Sequence, residues 1–203
     1  ASFDMNQNQI HITANKGQIN GMKFSAIKAD MADVSAYENH LLISGQAEGP
    51  TASAVSFLKD TPLADHIHHF ADDMNAEGTG KLDIAVNLNM LNASDVKVQG
   101  QYSFANDRVT VVPNAPAVTG VNGTIKFSES TIVSHDLQGQ WSGEPLSIRI
   151  DTDEKGANIS ASGRANVSEL RRYYDLPLFD QLSGKTDWQA KVLMQRSEER
   201  RVG

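Results

Sequence analysis

With 203 residues the chain is long enough for one sizeable core or two small ones. Its formal charge of -7, from 18 Lys+Arg against 25 Asp+Glu, leaves no basic stripe, so neither nucleic acid nor a polybasic membrane contact is an expected partner. Cysteine is absent, which excludes disulfides, thiolate metal sites and cysteine nucleophiles, and no apolar run reaches the ~18–20 residues needed to span a bilayer.

In chain order, alternation with period two dominates. "ASFDMNQNQIHITAN" opens as if in mid-sheet, with Ile10 and Ile12 on one face. It reads as part of a longer protein whose anchor or signal lies upstream. "GMKFSAIKADM" is less regular (Met22, Phe24, Ile27, Met31), and "HLLISGQAEG" reads as a strand ending at Gly45. Residues 51–60 read as helical. The same helical segment runs on through 61–74, where Thr61 reads as an N-cap, Pro62 sits at the first helical position and Leu63, Ile67, Phe70 and Met74 form one apolar stripe.

"GKLDIAVNLNM" then alternates almost without error. Leu82, Ile84, Val86, Leu88 and Met90 point one way, and Asp83, Ala85, Asn87 and Asn89 the other. "DVKVQGQYSF" carries Val96, Val98, Tyr102 and Phe104, "AND" at 105–107 reads as a turn, and "NDRVTVVPN" as a further strand with Val109 and Val111. Later strands carry Ile125 and Phe127, Leu137 and Trp141, Leu146, Ile148 and Ile150, then Ile159 and Ala161. The polar connections at 128–132, 142–145 and 152–156 are too short for parallel crossovers and predict antiparallel neighbours. Asn166 followed by Glu169 resembles a capping box opening a second short helical segment, with "LPLFDQL" (176–182) after it. "RSEERRVG" (196–203) breaks the alternation and reads as a disordered or non-native tail.

The two helical regions echo one another: Gly45 matches Gly163, Pro62 matches Pro177 and Gly80 matches Gly184. The expected division is 1–49 completing an upstream repeat, 50–165 as one repeat, 166–195 as the start of the next, then the tail. The unit, about 100–120 residues, is longer than a usual solenoid repeat.

Chemistry-bearing motifs are few. "DHIHHFADD" places Asp65, His68, His69 and Asp72 on one polar helix face, with His66 flanking the apolar stripe, but one face rarely supplies more than two converging metal ligands and HExxH is missing. A solvated helix face is the expectation. "GTGKL" is no phosphate loop: Asn75 stands where the first glycine belongs and Leu82 follows Lys81. No nucleophile elbow or dinucleotide loop occurs, so neither catalytic residues nor a cofactor is expected.

A sheet of about ten strands with so little helix must pack on another sheet, curl on itself or cover something else. "FLKDTPLADHI", "GKLDIAVNLNM", "VKVQGQYSFANDRVTVVP" and "VTGVNGTIKFSESTIVSHDLQGQWSGEPLSIRI" together resemble the periplasmic region of the YhdP proteins in the AsmA-like group of Gram-negative bacteria, over residues 20–195. That resemblance implies a mainly β fold: a large, twisted antiparallel sheet curled into an open groove, with two short helical segments packed against it or plugging it. It further implies a periplasmic, non-enzymatic bridge, anchored in the inner membrane elsewhere in the full-length protein, that carries phospholipid between inner and outer membranes.

The lipid-groove candidates are Leu82, Ile84, Val86, Leu88, Val96, Val98, Tyr102, Phe104, Ile125, Phe127, Leu137, Trp141, Leu146, Ile148, Ile150 and Trp188. The expected partners are phospholipid acyl chains, with edge-strand self-association of the fragment as a further prospect. The competing readings are an envelope assembly scaffold that binds proteins by strand addition, and a glycan-binding or glycan-cleaving β protein.

Overall fold

A computed structural model of the chain describes residues 1–19, 21–59, 74–92, 95–111, 116–153, 156–170 and 183–195. The elements are β1 (Ser2–Asn6), β2 (Gln9–Ala14), β3 (Gly17–Ile19), β4 (Met22–Met31), β5 (His40–Pro50), α1 (Thr51–Lys59), β6 (Asn75–Glu77), β7 (Thr79–Asn89), β8 (Val96–Thr110), β9 (Val118–Ser128), β10 (Ile132–Trp141), β11 (Glu144–Asp153), β12 (Gly156–Asn166), the single turn α2 (Val167–Leu170) and β13 (Lys185–Gln195). The helix expected over 61–74 lies outside the described residues except for Met74, as do His66, His68 and His69, the stretch 176–182 and the tail 196–203.

All thirteen strands form one antiparallel sheet, in the order β1-β2-β4-β5-β7-β8-β9-β10-β11-β12-β13. The short β3 and β6 pair with β4 and β8. Neighbours in sequence are neighbours in space because the connections are tight. Trp141 sits opposite Glu144 across a two-residue turn whose Ser142 and Gly143 have φ of 50° and 80°. Positive φ at both positions matches the right-handed twist of a hairpin. The sheet does not close into a barrel: among the described residues β1 pairs with β2 alone and β13 with β12 alone.

Two expectations fail on strand ends. The strand expected to stop at Gly45 continues to Pro50, and Gly45 pairs with Ile84 in mid-ladder. The turn expected at 105–107 is a bulge inside the fifteen-residue β8. Asn106 adopts φ 63° and its N–H donates to Asn122 Oδ1 at 3.0 Å, so one extra residue is absorbed without reversing the chain.

Two hairpins are built alike. β5 against β7 runs from His40↔Asn89 to Pro50↔Thr79, and β12 against β13 from Gly156↔Gln195 to Asn166↔Lys185. Each leads into a helix whose first N–H donates to a glycine carbonyl, Thr51 to Gly78 at 3.1 Å and Val167 to Gly184 at 3.0 Å. Asn166 caps α2, its Oδ1 accepting from the Ser168 N–H at 3.1 Å. Gly45 faces Ile84 and Gly163 faces Trp188.

Candidate functional site: an apolar groove

In an antiparallel ladder, directly opposed residues share a face. Leu82, Ile84, Val86 and Leu88 oppose Tyr102, Gly100, Val98 and Val96. Gly100, Tyr102 and Phe104 oppose Phe127, Ile125 and Gly123. Phe127 opposes Ile132, and Val118 opposes Trp141. Leu137, Gly139 and Ser134 oppose Ile148, Leu146 and Ile150, and Leu146 opposes Gly163, which opposes Trp188. The register therefore brings all sixteen candidate residues onto one face of one sheet.

The other face is polar. Gln46, Asp83, Gln101 and Lys126 form one cross-strand row, with Gln101 Nε2 donating to Asp83 Oδ2 at 3.0 Å. His135 and Asp151 pair at 2.6 Å in water on this side, and His11 pairs with Asp30.

The apolar face is concave. Leu82, Val98, Tyr102, Leu137, Leu146 and Ile150 are buried, and the other ten candidates are half-buried, although no second sheet covers them among the described residues. Four of the six buried residues, Leu82, Tyr102, Leu137 and Ile150, belong to clusters that helix α1 completes. Trp141 and Trp188 report the curl. Strands three apart in a flat sheet stand roughly 14 Å from each other, yet these ring centroids are 5.5 Å apart. Curl and the inward lean of both rings close the span.

Helix α1 occupies part of this face. Its Ala54 joins Met22, Ala47, Leu82 and Tyr102 in one cluster, and its Val55 joins Ala76, Val109, Val121, Leu137 and Ile150 in another. Phe104 packs against both clusters and meets Tyr102 edge-on at 4.9 Å. The helix thus packs against the apolar face.

A buried polar network pins it there. Tyr102 Oη donates to Thr51 Oγ1 at 2.9 Å, and Thr51 Oγ1 donates to Asp107 Oδ2 at 2.6 Å. Asp107 Oδ1 accepts from the Thr79 N–H at 3.1 Å. Asp107 is fully buried. The bulge at Asn106 turns its side chain inward, which is why a residue expected in a solvated turn ends up in the core. Burial, with the Asp107 charge adding to it and the Thr51 bond opposing, pushes the Tyr102 phenol up to about 12. Tyr102 therefore stays a protonated donor.

Sequence reasoning missed three groups: the Thr51–Asp107 link, the helix residues Ala54 and Val55, and the face's extension through Phe3 and Met5. Phe3 and Met5 oppose Ile12 and Ile10 and are 63% and 54% exposed, so the apolar strip stays uncovered as it reaches β1. Their alternation in "SFDMN" carried the signal. Among the described residues no three His, Asp or Glu side chains gather as metal ligands, and no described helix is long and apolar enough to cross a membrane.

One open antiparallel sheet with an apolar inner face and a polar outer face defines a β-groove protein. The chain belongs to the YhdP family: a family model described as YhdP protein matches residues 1–201. No curated protein and no solved structure matches it.

Proposed function

We propose that the chain is a segment of a periplasmic bridge that conducts phospholipid between inner and outer membranes, with acyl chains lying along the apolar face. The reading assigns it no catalytic residues and no cofactor; the anchor and the contacts with both membranes belong to other parts of the full-length protein. The observation that carries it is the continuity of the apolar face, from exposed Phe3 and Met5 through Val86, Phe127 and Ile148 to Val192, which is 56% exposed.

The energetics favour that use. A CH₂ moved out of water is worth ~0.8 kcal/mol, so a ~16-carbon chain crossing bare would face on the order of 13 kcal/mol. Weak apolar contact spread along a groove removes most of that barrier while leaving no deep site in which lipid would stall.

Native mass spectrometry of the purified chain tests this reading. Phospholipid is expected to accompany the wild type and to be lost in Ile84→Asp with Ile148→Asp, on the apolar face, but retained in Asn87→Asp, on the polar face. A lipid-free wild type would reverse the conclusion. The second reading, a scaffold that adds partner strands, draws on the single pairing of β1 and β13. Under it the chain would be lipid-free and would acquire a partner's strand at one of those edges.

A further inference from the structure

Trp141 on β10 and Trp188 on β13 are the two tryptophans of the chain. Their rings meet edge to face, with planes at 65°. Trp188 ends the row Gly139, Leu146, Gly163 and Trp188, each opposite the next, and Trp141 lies two residues along β10 from Gly139. Two of those four positions carry no side chain. Both rings are half-buried.

Trp188 also carries an unmet demand. Its Nε1 is out of solvent with no hydrogen-bond partner. An indole nitrogen can only donate, and leaving such a donor buried and unpaired is unfavourable. A phenylalanine would offer a ring for the same contact without that cost. Trp188 further sits on a strand that pairs on one side alone among the described residues, so it has more freedom to move than Trp141, whose strand is paired on both sides.

We infer that the tryptophan pair is a closed constriction in the groove. An acyl chain occupying this stretch parts the two rings, and an ester carbonyl of the same glycerophospholipid accepts the Trp188 N–H. The inference rests on the lipid-groove reading and adds to it a position, a moving part and one polar contact.

Because the pair contains every tryptophan of the chain, intrinsic fluorescence reads it directly. The wild-type chain is titrated with a diester phosphatidylethanolamine brominated at mid-chain, and bound lipid is counted in parallel by native mass spectrometry. Bromine quenches on contact, so the expected result is quenching that follows lipid occupancy, with loss of the near-ultraviolet circular dichroism of the coupled rings. The single-tryptophan variants Trp141→Phe and Trp188→Phe are expected to quench as well.

Dialkyl-ether phosphatidylethanolamine lacks the ester carbonyls. It is expected to bind several-fold more weakly than the diester to the wild type and equally well to Trp188→Phe. Bound lipid with unquenched tryptophans would overturn the constriction while leaving the groove reading intact. Equal binding of ether and ester lipid by the wild type would overturn the donor role. A chain that binds no lipid at all would sink both.

Discussion

Thr51 and Asp107 stand 56 residues apart in sequence and are joined by a 2.6 Å hydrogen bond inside the core. Thr51 opens the only described helix longer than one turn, and Asp107 follows the bulge that bends β8. This bond fixes where the helix lies on the apolar face. Thr51→Val keeps the shape and removes the donor to Asp107 as well as the acceptor for Tyr102. A hydrogen bond to a charged group contributes about 1.5–3 kcal/mol, and the loss is expected near the upper end because the carboxylate stays buried. Urea unfolding followed by circular dichroism should show a lower midpoint at unchanged slope. An unchanged midpoint would mean that the network does not hold the helix.

The same network makes stability sensitive to alkali. The Tyr102 phenol is raised in the folded protein to about 12, against an ordinary value of 10. A raised folded value means that the native state keeps a proton the unfolded chain gives up. The stabilisation is therefore complete below pH 10 and is lost as pH climbs from there through about 12. Its full extent is on the order of 2 kcal/mol. Urea midpoints at about pH 9 and about pH 11.5 should fall further for the wild type than for Tyr102→Phe. Equal falls would contradict the assignment.

Two glycines should separate backbone strain from collision. Gly78 has φ 119° and Gly143 has φ 80°. A Cβ at Gly78 would run into the Asp107 carboxylate, whereas one at Gly143 meets nothing within 4 Å. Gly143→Ala is expected to cost about 1 kcal/mol, the ordinary penalty for a left-handed residue. Gly78→Ala adds the disruption of a buried carboxylate and should cost at least about 2 kcal/mol more. Comparable midpoints in the two variants would show that the Gly78–Asp107 approach is not tight in solution.

Burial along the groove is uneven, and truncation should follow it. Leu137 is 5% exposed and Phe3 is 63% exposed, although both lie on the apolar face. Leu137→Ala is expected to cost roughly 2–5 kcal/mol, and Phe3→Ala less than about 0.5 kcal/mol. Thermal unfolding measures both. A large loss at Phe3 would mean that something covers it.

Much of this architecture could be read from the residues because a two-residue period survives across the chain. Leu82 to Leu88 alternate, short polar connections force antiparallel neighbours, and so Val96, Val98 and Tyr102 follow on the same face. Features that depend on one residue leaving the regular ladder were not legible. "AND" at 105–107 has the composition of a turn, and only the φ of Asn106 and its bond to Asn122 distinguish a bulge. Gly45 has the composition of a strand end because glycine weakens strands, yet its partner Ile84 sits in mid-ladder. The contact of Trp141 with Trp188 depends on the curl of four strands, which no local spacing encodes.

The central claim is that hydrocarbon lies on the apolar face. Its most direct measurement is photo-crosslinking from single positions in cells, with lipid adducts identified by mass spectrometry. Positions 84 and 148 face inward by register, and 83 and 87 face outward. Adducts carrying phospholipid from 84 and 148, and none from 83 and 87, are the predicted result. Phospholipid captured only from 83 and 87 would contradict it.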